Sequence, residues 1–134
     1  MYVTAQNRIL FVCVENAGRS QMAEAFMRKY APHIKVASAG TIPRNKVHPV
    51  VADVMSEIGI NIGDKVPQKI TQAMLDDATV VNMGCIDQSA CPAMFTKTVK
   101  DWMIPDPKGK TLEEVREIRD QIKLNVQEMI KEIG

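Results

Sequence analysis

A short apolar run that ends on a cysteine and turns at once into a helix constrains this chain more than any other feature. Residues 8–20 read Arg-Ile-Leu-Phe-Val-Cys-Val-Glu-Asn-Ala-Gly-Arg-Ser, with Cys13 closing the run from Ile9 to Val12 and Arg19 six positions beyond it. A helical pattern over Ser20–Tyr30 follows, with Met22, Ala23, Phe26 and Met27 on one apolar face. Strand, tight loop and helix N-terminus in succession predict a loop that turns backbone N–H groups and the positive end of a helix toward one point. Such a loop suits a tetrahedral oxyanion. The same field favours a thiolate, so Cys13 is expected to be an activated nucleophile. The planar fork of Arg19 can grip two oxygens of the anion. A cysteine closing a buried strand is most often an inert core residue. The reading of Cys13 therefore rests on its setting: the strand before it, Gly18 for an unusual backbone angle, and Ser20 at a helix start.

The rest of the chain alternates. Arg8–Val12 and Lys35–Ser38 read as strands, Pro49 opens a helix running to about Ile58 that Gly59 ends, and Thr71–Leu75 reads as a brief helical segment. Strands are expected over Thr79–Met83 and within Lys97–Trp102. Thr111 caps a long final helix with Glu114 as capping-box partner, and Val115, Ile118, Ile122, Val126, Met129 and Ile133 form its core stripe. This order predicts an α/β, three-layer, single domain over residues 1–134: a mainly parallel four-stranded sheet flanked by helices. In such open sheets the site lies beyond the carboxyl ends of the strands, where Cys13, Cys85 and Asp106 would all fall.

A net charge of +1 gives no general field for nucleic acid or an anionic membrane, and no apolar stretch is long enough to span a bilayer. A cytoplasmic protein without a signal peptide is expected, with a monomer as the default for 134 residues. Three cysteines make an odd number for a disulfide framework, so catalytic or redox roles are the more natural reading. The methionines read as core filler.

Two further segments add chemistry. Asp106 sits between Pro105 and Pro107 on a stiffened loop, where an acid over the anion pocket could protonate a leaving oxygen; Asp101 is the nearby rival. Asp-Pro is also a common turn pair. Cys85 and Cys91 flank a polar segment. They lack tight ligand spacing, and His33 and His48 show no matching arrangement, so no metal site and no cofactor is expected. As a thiol relay they make sense: one attacks a bond at Cys13 and the other resolves the product by exchange.

The stretch from Val12 to Glu24 resembles the phosphate-binding loop of the low-molecular-weight protein tyrosine phosphatase superfamily, and more closely that of the thioredoxin-coupled arsenate reductases built on that fold. Ser38-Ala39-Gly40-Thr41, the Cys85–Cys91 segment and Asp106-Pro107 extend the resemblance over nearly the whole chain. Ser20-Gln21-Met22-Ala23-Glu24 matches the reductase branch, where the phosphatases usually have proline at the place of Gln21. The resemblance implies Cys13 as nucleophile, Arg19 as oxyanion binder and Asp106 as general acid. The loop residues Val14, Glu15, Asn16, Ala17, Gly18, Arg19 and Ser20 would bind arsenate or phosphate. Asn16 would hold the loop's shape, and Ser20 would donate a hydrogen bond to the Cys13 thiolate. Cys85 and Cys91 would be the second and third thiols, with Cys91 passing the disulfide to a thioredoxin-type reductant. The chain departs from the pattern in three places. Cys85 and Cys91 are one residue closer than in the best-known reductases, and Glu15 puts a negative charge at the mouth of an anion site. Asn16, Glu24 and Ser38 match part of a potassium site of some relatives, but Lys69 stands where an acid is expected, so no potassium is expected here. A phosphatase is the alternative function, disfavoured by the lack of aromatic residues in the 41–48 loop and after Pro107.

Overall fold

The computed structural model describes residues 8–76, 78–84 and 99–133. The elements in chain order are β1 (Arg8–Cys13), α1 (Arg19–Tyr30), β2 (Lys35–Gly40), α2 (Pro49–Ser56), α3 (Gln72–Leu75), β3 (Ala78–Asn82), β4 (Val99–Asp101) and α4 (Leu112–Ile133). The strands form one sheet in the order β2-β1-β3-β4, with every pair parallel. The expected α/β class, with four parallel strands and flanking helices, is what the chain adopts. Element ends shift by one or two residues: β1 includes Cys13, β2 runs on through Gly40, and α1 starts at Arg19.

Alternation along β1 sorts its side chains to two faces. Ile9, Phe11 and Cys13 join the larger core with Met22, Phe26 and Met27 of α1, Val51, Val54 and Met55 of α2, and Val115, Ile118, Ile122, Val126 and Met129 of α4. Leu10 and Val12 face the other way, where Leu75 of α3 and Val80 of β3 complete a smaller cluster. The stripe expected on α4 is thus buried as far as Met129, but Ile133, the last residue of the helix, lies 40% exposed. Among the methionines, Met103 departs from the core reading and is 92% exposed. Trp102 is half-buried against Phe11, with ring centroids 5.6 Å apart.

The ends of α4 and α2 are tied by charge. Thr111 Oγ1 accepts from Glu114 N, and Glu114 Oε1 accepts from Thr111 N, the reciprocal cap expected from the sequence. Glu57, just after α2, accepts from Arg116 and Arg119 of α4, and Arg119 also donates to Val54 O. Hydrogen bonds from Arg116 hold the Glu57 carboxyl below its ordinary value, and those from Thr111 do the same for Glu114. Arg119 is buried on the core face of α4, which helical periodicity could not foresee, because its partners come from α2.

The sheet order reverses at β1: the chain moves outward to β2, then returns to the opposite side of β1 for β3. Open α/β sheets form a crevice at such a point, beyond the strand ends. Cys13 is the last residue of β1 and faces that crevice's wall.

Candidate functional site

The loop from Val14 to Gly18 is built by what its carbonyls do. Val14 O accepts from Ile42 N, Glu15 O from Arg44 N, Asn16 O from Gln21 Nε2, Ala17 O from His48 N, and Gly18 O from Met22 N. Five successive carbonyls are therefore engaged by surrounding structure. In a planar trans peptide the N–H points opposite to the C=O. The N–H groups of residues 15–19 are consequently free to turn inward. The N-terminus of α1 has no side-chain cap, leaving its first amides available to an anion.

Inside this loop sits Cys13, buried at 3% exposure. Asn16 N donates to Cys13 Sγ at 3.3 Å, and Ser20 Oγ lies 2.9 Å from the same sulfur. Ser20 Oγ already accepts from Asn16 Nδ2 at 2.8 Å, so its own hydrogen is left to point at the sulfur. Both contacts suit a sulfur anion. Asn16 organises the turn: it has φ +52°, a left-handed conformation that asparagine tolerates better than most residues. Its Nδ2 also donates to Ser38 Oγ, and its Oδ1 accepts from Gln68 N and Gln21 Nε2. β2 ends close beneath: a Cβ on Gly40 would come within 2.5 Å of Val14 O and 2.9 Å of Asn16 N, so only glycine allows the approach.

Behind Asn16 the chain of bonds continues through Ser38 Oγ, which donates to Glu24 Oε1 at 2.6 Å. Glu24 Oε2 accepts from Arg28 and from Lys65 Nζ, and Ser38 O accepts from Gln68 Nε2. The acceptors that matched part of a cation site are filled by Gln68, Lys65 and Arg28, while Lys69 forms a backbone bridge to Gly40. Neither Lys65 nor Gln68 carries a sequence signal for this place.

Arg19 crosses the crevice from α1. Its NH1 donates to Ile104 O at 3.0 Å, and its NH2 stands 3.9 Å from Asp106 Oδ2. The guanidinium lies flat on Gly84, which has φ +142° and where a Cβ would meet it at 2.6 Å. Asp106 is anchored at its other oxygen by Lys108 N. A cavity of about 220 Å³ joins these groups, lined by Cys13, Val14, Glu15, Gly18, Arg19, His48, Asp106, Pro107 and Lys108. Cys13, Arg19 and Asp106 therefore meet at one pocket, although Asp106 is far from the other two in sequence. Asp101, the rival acid, accepts instead from Asn82 Nδ2 at the end of β3. Cys85 and Cys91 lie outside the described residues; Gly84, which precedes Cys85, touches the Arg19 guanidinium. Among the described residues no group of three or more His, Cys, Asp or Glu side chains could hold a metal, and no helix is long and apolar enough to cross a membrane. His48 and Lys108 were missed as lining residues, because nothing in their local sequence marks them.

A parallel α/β sheet that places a cysteine inside an amide-lined loop, with an arginine and an aspartate opposite, defines a protein class built to hold a tetrahedral oxyanion against a thiol. Residues 8–134 match the model of the low molecular weight phosphotyrosine protein phosphatase family, and the chain belongs to that family. It is 36% identical over 130 residues to the glutaredoxin arsenate reductase of Synechocystis, covering 95% of this chain and 98% of the relative. A solved arsenate reductase in its phosphate-binding state superimposes with a TM-score of 0.83 at 34% identity, covering 95% and 98% of the two chains. The thioredoxin-dependent arsenate reductase of Corynebacterium glutamicum gives 0.79 at 34% identity, covering 98% of this chain and 64% of that one.

Proposed function

We propose that this protein reduces arsenate to arsenite through a thiol–arsenate adduct on Cys13 and a relay of three thiols. The observation that carries the reading is the pocket itself: a sulfur with two hydrogen-bond donors, inside a loop of inward amides, facing Arg19 and Asp106. The named reductase activities of the relatives support the choice of arsenate.

The Cys13 thiolate attacks arsenic while Asp106 gives a proton to one arsenate oxygen, which leaves as water. Arg19 and the loop amides hold the remaining oxygens, where charge collects in the transition state. The Cys85 thiolate then attacks the Cys13 sulfur. The sulfur–arsenic electron pair goes to arsenic, which departs as arsenite, two electrons richer, and Cys13 and Cys85 become a disulfide. Cys91 attacks Cys85 and releases the Cys13 thiolate. A dithiol protein of the thioredoxin type, or a glutaredoxin, reduces the Cys85–Cys91 disulfide.

The same pocket would serve the alternative, hydrolysis of a phosphate monoester through a phosphocysteine, and the family name favours keeping it in view. Among the described residues the lining argues against an aryl ester as the main substrate: apart from the His48 imidazole it holds no aromatic ring to sandwich a phenyl group. Paired assays decide. Wild type is expected to oxidise a thioredoxin system when arsenate is added and to hydrolyse a small aryl phosphate weakly. In Cys91→Ser the arsenate turnover should vanish and the hydrolysis persist. Full multi-turnover reduction by Cys91→Ser would end the relay, and hydrolysis far outrunning reduction in wild type would favour the phosphatase.

A further inference from the structure

Glu15 is an anion at the mouth of a pocket for anions. Its carboxylate is held by three cationic or protonatable groups from two separate loops: His48 Nε2 at 2.9 Å from Oε1, with Arg44 NH1 at 3.4 Å and Lys108 Nζ at 3.8 Å from Oε2. The arrangement is built into the cradle, since Arg44 N and His48 N are the donors that secure Glu15 O and Ala17 O. The closest pair is also the most sheltered, with the His48 and Glu15 side chains 17% and 28% exposed. Arg44 and Lys108 are more open and act mainly through their field.

We propose that Glu15 is an internal competitor that limits the pocket to a lone oxyanion. The proposal rests on reading the pocket as an oxyanion site and names its substrate class more narrowly. A small tetrahedral anion fits between Cys13 and Arg19. A ligand with a second anionic group, such as a diphosphate or an acidic phosphopeptide, would need to place that group at the rim. There Arg44, His48 and Lys108 form the frame that would receive it, and the Glu15 carboxylate already occupies it. Charge repulsion from Glu15 grows with each further negative charge on the ligand, so the penalty falls hardest on polyanions.

Calorimetric titration of the reduced full chain at low ionic strength, with inorganic phosphate and with pyrophosphate, tests this without turnover. In Glu15→Gln the affinity for phosphate should rise about threefold and that for pyrophosphate tenfold or more, by removal of one nearby charge and release of the frame. Glu15→Ala should do the same should the amide disturb the loop, and Glu15→Asp should restore much of the discrimination. Adding Arg44→Gln to Glu15→Gln should cancel most of the pyrophosphate gain, whereas Arg44→Gln alone, with Glu15 still occupying the frame, should change pyrophosphate affinity far less; equal losses in the two backgrounds would overturn the proposal. Equal gains for the two ligands, or none, would overturn the proposal while leaving the oxyanion site intact. Wild-type protein that binds neither ligand would instead remove the oxyanion reading itself.

Discussion

At the scale of single residues, the site depends on groups whose backbone as well as side chain is committed. Asn16 accepts a left-handed φ and uses both ends of its amide, so it joins the sulfur, β2 and the segment at Gln68 in one network. Arg19 is held by Ile104 O and lies against Gly84, which fixes the guanidinium in the pocket wall. A lysine keeps the charge but loses the planar pair of donors. Arg19→Lys is therefore expected to lower kcat for aryl phosphate hydrolysis by about 10²–10³, the usual loss when a transition-state oxyanion donor is removed, with the melting temperature little changed. Steady-state kinetics beside thermal melts would check it, and a variant with near wild-type kcat would show that the guanidinium does not bear on the reacting oxygens.

At the scale of elements, α4 is the longest helix among those described, and its attachment is electrostatic at the edge and apolar along the stripe. The Thr111 cap satisfies an orphan amide of its first turn, so Thr111→Ala should cost about 1 kcal/mol in chemical denaturation. Glu57 and Glu114 both titrate below the ordinary carboxylate value of 4.5 in the folded protein. A carboxyl with a lowered folded pKa stabilises the fold above its unfolded value, and that contribution disappears as pH falls through the folded one. Stability should thus decline on acidification below about pH 4.5, and the decline should be shallower in a Glu57→Gln, Glu114→Gln double variant. Urea midpoints measured from pH 7 to pH 3 would show it; parallel curves for the two proteins would assign acid sensitivity to other carboxyls.

At the scale of the whole molecule, the site joins parts that no short segment contains: the end of β1, the start of α1, the loop before α2 and the loop before α4. An anion in the pocket links them, so it should stabilise the entire fold. Phosphate at a hundred times its dissociation constant should add about 2.7 kcal/mol, raising the melting temperature by roughly 10 °C for a chain of this size. The absence of such a shift, in protein otherwise folded, would mean that the cradle does not take the ion. The sequence by itself determined the elements and their order, because periodicity, the Thr111–Glu114 cap and Pro49 act within a few residues of chain. It also marked Cys13 and Arg19, since strand, loop and helix start are contiguous there. Only the tertiary structure decided that Gln68 and Lys65 fill the acceptors behind Asn16, and that His48, Arg44 and Lys108 converge on Glu15. Those contacts join segments separated along the chain and are made by parallel crossovers and loop packing. Local sequence carries no record of which distant side chain a crossover will bring to a given carboxylate.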